Sequence, residues 1–197
     1  MRSGWDNRAQ WAFFDIGPHG SDHQHDDCFH RSVSLGTRDF LVDSGRFSYK
    51  PGGYRDYYRG PRAHNLLMID GAPALRPPDE VDTPLPVTAL QDNHRAFFEA
   101  EQVFKGNGLK GRGSILHRRA VAYTSGKHWI VRDSLDLYGN HDVEVFWHFH
   151  PDCEVRKEGL FISTEFIEGS NLAIVPILPE GWKVELFKGV EEPEIQG

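Results

Sequence analysis

The run Val143-Glu144-Val145-Phe146-Trp147-His148-Phe149-His150 puts Val143, Val145, Trp147 and Phe149 on one side of an extended chain. Glu144, Phe146, His148 and His150 fall on the other side, because successive side chains of a strand point to opposite faces. Three strand-length runs precede it, Ala96–Phe104, Ile115–Thr124 and Trp129–Leu137, with Gly, Asn, Ser or Asp between them. Phe161–Phe166, Leu172–Ile177 and Lys183–Phe187 carry the pattern on, and Gln10–Ile16, Phe29–Leu35, Phe40–Asp43 and His64–Ile69 repeat it earlier. Gly36-Thr37-Arg38-Asp39 reads as a hairpin loop, being short and rich in turn formers. No window of a dozen residues holds an apolar i, i+3, i+4, i+7 pattern, so helices are not expected. Roughly ten or more short strands without helices define an all-β chain, a large antiparallel β-sandwich (supersandwich).

Between these runs lie a loop rich in Tyr, Arg and Gly, Ser44–Arg62, and a proline-rich segment, Ala72–Pro86. Proline cannot donate to a ladder, so the second should be an irregular excursion or an edge cover. Residues 1–190 read as one domain, and the acidic tail Glu191–Gly197 is expected to fray. A strand beginning at Gln10 with little lead-in suggests one domain of something larger.

At 197 residues, 39% apolar and 26% charged, the chain can bury a substantial core. Its net charge of −7, with no long basic run, argues against a nucleic-acid partner. No apolar window is long enough for a membrane helix, and the N-terminus has no signal-peptide core. The compartment stays open. Cys28 and Cys153 are read as thiols rather than a disulfide, since a small thiol packs well in a core.

The chemistry concentrates in Gly17-Pro18-His19-Gly20-Ser21-Asp22-His23-Gln24-His25-Asp26-Asp27, where three of the eleven histidines stand among three aspartates. A simple turn would use Gly, Pro, Asn and Ser. Imidazoles beside carboxylates build metal sites or proton-handling sites. In an extended segment His23, His25 and Asp27 would share a face. Asp43 and His64 are candidates to complete a metal set, and His25, Asp43 and His64 would give two nitrogens and an oxygen, which suits Zn²⁺. In the other reading Asp43 opens the turn at Ser44-Gly45 and His64 is a hydrogen-bonded core histidine. Spacing alone does not choose between them.

The loop after Asp43 carries Arg46, Tyr49, Tyr54, Arg55, Tyr57, Tyr58, Arg59 and Arg62. Tyrosines offer flat faces and phenolic protons, and arginines offer forked donors for carboxylates or sulfates. Together they point to an anionic carbohydrate. His148 and His150 read as sheet-face residues, and His117-Arg118-Arg119 as an exposed strand face. There is no nucleophile elbow, P-loop or dinucleotide fingerprint.

Taken together, Gly17-Pro18-His19-Gly20, His23-Gln24-His25-Asp26-Asp27, Leu41-Val42-Asp43-Ser44-Gly45, Arg62-Ala63-His64-Asn65 and Asp70-Gly71 resemble the C-terminal β-sandwich of the heparinase II/III-like polysaccharide lyases. The resemblance implies β-elimination of an acidic polysaccharide or oligosaccharide, such as alginate or a glycosaminoglycan, in a cleft shared with an α/α toroid. It implies His23 and Tyr49 as catalytic residues, and Arg46, Tyr54, Arg62 and Asn65 as substrate contacts. It also implies a structural Zn²⁺, or another divalent ion, on His25, Asp43 and His64. The toroid would come from the same chain or a neighbouring one, and the sandwich alone would be inactive. A parent enzyme of this kind would be periplasmic or secreted. The departure is Ser21-Asp22, which replaces the family's more usual glycine- or histidine-containing spacer. The rival functions are a metal-stabilised carbohydrate-binding module and a zinc hydrolase using Asp26 or Asp27 as base.

Overall fold

The computed structural model describes residues 1–21, 23–72, 74, 81–105, 109–110, 113–177 and 180–189. Asp22, positions 73 and 75–80 of the proline-rich segment, and the acidic tail lie outside the described residues. Twelve strands are found among those described, all paired antiparallel. β1 (Gln10–Phe14), β2 (Arg31–Leu35) and β3 (Arg38–Leu41) form one sheet, and β4 (Leu67–Ile69) pairs with β9 (Val143–Val145). β5 (Val87–Gln91), β6 (Arg95–Lys105), β7 (Ser114–Thr124) and β8 (His128–Asp136) form the largest sheet. β10 (Val155–Glu158), β11 (Phe161–Thr164) and β12 (Ala173–Ile174) form the last. The all-β sandwich expected from the apolar alternation is the fold.

Residues 143–150 join the first two of these sheets. Val143–Val145 pairs with β4, and Phe146 N–H continues that edge by donating to Leu66 O at 2.9 Å. Beyond it the chain crosses to β3, where Val42 N–H donates to His148 O and His150 N–H to Phe40 O, at 3.0 and 2.9 Å. The alternation holds across the crossing. Val143 and Val145 pack on the buried cluster of Leu67, Ile69, Phe104, Leu109 and Ile115. Trp147 and Phe149 pack on the cluster of Ala12, Val33 and Leu41. The opposite face meets the loops: Phe146 packs with Leu66 and Met68, and His148 Nε2 bonds Arg62 O at 2.8 Å. His148 is thus a sheet-face residue, as read from the sequence.

Some expectations need correction. His117 and Arg119 are completely buried and face the interior, leaving Arg118 as the exposed member of that trio. Asp133 on β8 makes this possible by accepting from Arg119 Nε and Nη2, at 2.7 and 3.0 Å, and bonding His117 Nε2 at 2.6 Å. The loop expected over Ser44–Arg62 contains a seven-residue helix, α1 (Gly53–Arg59), and a 3-10 turn, Pro61–Ala63. No residue of α1 is buried, so it lacks the apolar stripe by which a helix is recognised. β5 and β10 were not anticipated, and Lys183–Phe187 joins no ladder. Cys28 and Cys153 are not joined in a disulfide, as expected.

Asp70 and Gly71, at φ +54° and +74°, form the tight turn after β4, a geometry that asparagine, aspartate and glycine tolerate best. The Asp70 carboxylate accepts from Lys110 N–H and Asp142 N–H, at 2.7 and 2.9 Å, and bonds His141 Nδ1 at 2.7 Å. Burial alone would raise this carboxyl, but those hydrogen bonds hold it at about 2 against an ordinary 3.8. A depressed carboxylate contributes stability above its unfolded pKa and loses it as pH falls through the folded one. Acid titration should therefore erode stability between about pH 4 and 2. In Asp70→Asn this acid limb should flatten, as followed by urea midpoints across that range. An unchanged limb would show that the carboxylate is not the titrating pin.

Candidate active site and metal centre

Residues 23–31, the end of β3 and the segment 59–65 are linked by hydrogen bonds. Asn65 ties them together. It is fully buried; its Nδ2 donates to Arg31 O at 2.7 Å and Val42 O at 3.0 Å, and its N–H donates to His30 Nδ1 at 3.0 Å. Its Oδ1 accepts from His148 N–H. With this capacity spent on three segments, Asn65 belongs to the scaffold. Its expected place among the substrate contacts is corrected.

Asn65 sets its neighbour His64, also fully buried. His64 Nδ1 lies 2.7 Å from Asp43 Oδ2, and Asp43 Oδ1 accepts from Gly45 N–H at 2.7 Å. With Nδ1 donating to the carboxylate, Nε2 carries the lone pair. That Nε2 is buried and has no hydrogen-bond partner among the described residues, a state that costs about 1–3 kcal/mol unless something occupies it. The His25 ring stands over this region, 5.4 Å from the His64 ring between centroids. Burial, and next the neighbouring His64, lower the His25 pKa, which favours the neutral imidazole a metal requires. For Asp43, burial pushes up, but the hydrogen bond and charge of His64 outweigh it and the carboxyl is lowered.

His30 competes for the same place. Ligand atoms of His30, Asp43 and His64 all lie within 4.8 Å of one another. Yet His30 Nδ1 already accepts Asn65 N–H, and its Nε2 is 2.9 Å from Ser32 Oγ. A nitrogen whose lone pair takes an N–H cannot also ligate. Burial holds His30 neutral, with a pKa of about 4. It backs the site, and the His25 ring is the further imidazole close to His64. Two imidazoles and a carboxylate are donor types that suit a divalent metal.

His23 points elsewhere. It sits at φ +59°, a left-handed conformation that costs a non-glycine residue energy and clusters at functional sites. This twist breaks the alternation that would have put His23, His25 and Asp27 on one face. His23 instead meets Tyr49 edge-on, 5.2 Å between ring centroids. Both line a pocket with His25, Arg46, Phe47, Ser48, Arg55 and Arg59. Arg46 Nη1 donates to Tyr49 Oη, and the Arg46 and Arg55 guanidiniums lie 4.9 and 5.6 Å from the Tyr49 ring centre.

Of the remaining expected contacts, Arg46 lines this pocket. Tyr54 packs its ring on Phe47 at 5.0 Å, beside the pocket wall. Arg62 turns away, pairing with Glu144 at 3.2 Å and lying over the Phe146 ring. Arg55 and Arg59 were noticed only as part of a basic loop. Their spacing of four residues was the available signal, since such a pair shares one face of a helix.

The chain belongs to the Heparinase II/III-like, C-terminal family, which matches residues 3–192. A search of curated proteins returns no match. Among solved structures, the chain is similar to the heparan sulfate lyase HepC from Pedobacter heparinus, at 22% identity and a TM-score of 0.74. It is also similar to the heparinase III BT4657 gene product, at 19% and 0.71, and to another heparinase III structure, at 19% and 0.64. The likeness to HepC covers 88% of this chain and 26% of that one.

Proposed function

We propose that this domain forms one wall of the cleft of a polysaccharide lyase that cleaves uronate-containing polysaccharide by β-elimination. The observation that carries the reading is the edge-on His23–Tyr49 pair in a pocket lined by Arg46, Arg55 and Arg59. β-Elimination removes the proton at C5 of the uronate, breaks the C4–O bond, forms a C4–C5 double bond and protonates the departing oxygen. One group must take a proton and another must give one. Because the Tyr49 oxygen accepts from Arg46, its own hydrogen is left for the departing oxygen, and the His23 ring beside it is suited to proton transfer at C5. The arginines supply forked donors for the carboxylate, whose charge must be neutralised as C5 becomes carbanionic. The names of the similar structures favour heparan sulfate as the first substrate to try.

The same reading assigns a divalent metal, zinc by its donor set, to His25, His64 and Asp43. Bound there, the ion would add positive charge and lock the loops behind the pocket. His25 and His64 would supply imidazole nitrogens, and Asp43 a carboxylate that also fixes the His64 tautomer.

The test is product formation. The chain, supplied with a toroid domain in cis or in trans, should release unsaturated uronate ends from heparan sulfate or another acidic polysaccharide. His23→Ala and Tyr49→Phe should each slow release by at least about 100-fold, with oligosaccharide affinity kept within a few fold. Affinity without product from the assembled protein would favour a binding module. Metal-dependent hydrolysis of an ester or amide would favour the hydrolase.

A further inference from the structure

Why do the rings of His23 and His25, two residues apart and both lining the pocket, meet different partners? The left-handed turn at His23 is strained, so something outside the loop must hold it. The hydrogen bonds across the loop lead to α1. Arg59 Nε donates to Gln24 O at 3.0 Å, and Asp26 N–H donates to Arg59 O at 2.8 Å. One residue therefore grips the peptide before His25 and the peptide after it. One turn earlier on the same helix face, Arg55 Nη1 donates to Ser48 O at 2.7 Å, next to Tyr49, with its guanidinium over the Tyr49 ring.

The helix that carries both arginines is short. Seven residues with no buried side chain and no side-chain cap at Gly52 are marginal as a helix in water. Hydrogen bonds to the His23–His25 loop and to the Tyr49 loop tie it to the domain. Those same contacts bridge the two walls of the pocket. Arg59 and Arg55 also line that pocket, so the brace is part of the wall it supports.

We infer that Arg59 is a positioning residue that turns His25 toward His64 while leaving His23 to Tyr49, and that Arg55 positions Tyr49. The functional meaning of this rests on the lyase and metal assignments above. The geometry itself does not, and the test separates the two.

The experiment uses the full chain in four versions: unmodified, Arg59→Ala, Arg59→Lys and Arg55→Ala. Zinc affinity is measured by chelator competition. Ring-to-ring nuclear Overhauser contacts are measured on metal-free protein, and melting temperature reports folding. Arg59→Ala should weaken zinc about 10–100-fold, the range for losing a group that orients a ligand, and should remove the His25–His64 contact. Arg59→Lys, which keeps a donor within reach of Gln24 O, should restore most of both. Arg55→Ala should leave zinc within about two-fold while weakening the His23–Tyr49 contact. A merely stabilising arginine would lower the melting temperature of Arg59→Ala without this division between variants. Unchanged zinc affinity and unchanged ring contacts in Arg59→Ala would overturn the proposal. If Arg59→Ala fails to fold, Arg59→Gln takes its place under the same criteria. If the unmodified chain binds no zinc, the metal assignment fails, and the ring contacts alone decide the role of Arg59.

Discussion

Asp133→Ala is expected to cost about 3–5 kcal/mol of folding stability, the usual toll for stranding a buried charge. Asp133 takes both prongs of the Arg119 guanidinium and the His117 ring. Burial would raise its carboxyl, but Arg119 and His117 hold it below the ordinary carboxylate range. Without it Arg119, fully buried, keeps its charge and loses its partner. The consequence should extend beyond stability. Arg119 Nη1 donates to Phe29 O at 3.0 Å and to Asn65 O at 3.2 Å. Phe29 is a buried aromatic at φ +75°, a strained conformation that survives only where its surroundings over-determine it. Its N–H is held by Asp15 O and its carbonyl by Arg119, one residue before His30. Urea unfolding of Asp133→Ala, Arg119→Met and the double variant Asp133→Leu/Arg119→Met checks this. The double variant should recover much of the loss, because a buried pair can be replaced by apolar groups where a lone charge cannot remain. Single variants within about 1 kcal/mol of the parent would refute the account, since that is the ordinary size of a mutation with no special mechanism.

His64→Ala should abolish tight zinc binding, and His25→Ala should weaken it at least about 100-fold, beyond the range for losing an orienting group. The reason is the orphaned His64 Nε2, buried without a partner among the described residues, with the His25 ring close to His64. His30→Ala is the discriminating control. His30 shares a group of ligand atoms within 4.8 Å of one another with Asp43 and His64, but its nitrogens are engaged by Asn65 N–H and Ser32 Oγ. It should therefore cost stability and leave zinc stoichiometry intact. Metal analysis of the three purified variants decides the matter. Zinc lost with His30→Ala and kept with His25→Ala would exchange the two residues in the assignment.

Much of this was legible locally. Alternation of apolar and polar residues has a period of two and needs no partner to be seen, so Ala96–Phe104, Ile115–Thr124 and Trp129–Leu137 stand close to the observed strands β6, β7 and β8. The heparinase-like motifs likewise lie in short runs. α1 escaped because it buries nothing, and helices are recognised by what they bury. β5 escaped for a related reason, every residue of it being exposed. Arg119 and His117 were read as surface residues because charge is normally solvated. Their partner Asp133 lies on another strand, and only the β7–β8 register brings it opposite.

The sequence by itself therefore determined the all-β sandwich, the family, and the set of histidines, tyrosine and aspartates available for chemistry. It could do so because side-chain alternation and motif order are properties of neighbours along the chain. Which histidine faces which partner was decided only in three dimensions. His23 turns to Tyr49 because its backbone is left-handed, and His25 turns to His64 beside a peptide held by Arg59. Asn65 turns inward because three segments need its hydrogen bonds. A dihedral angle and a hydrogen bond across 35 residues depend on where distant segments pack, and no local pattern encodes that.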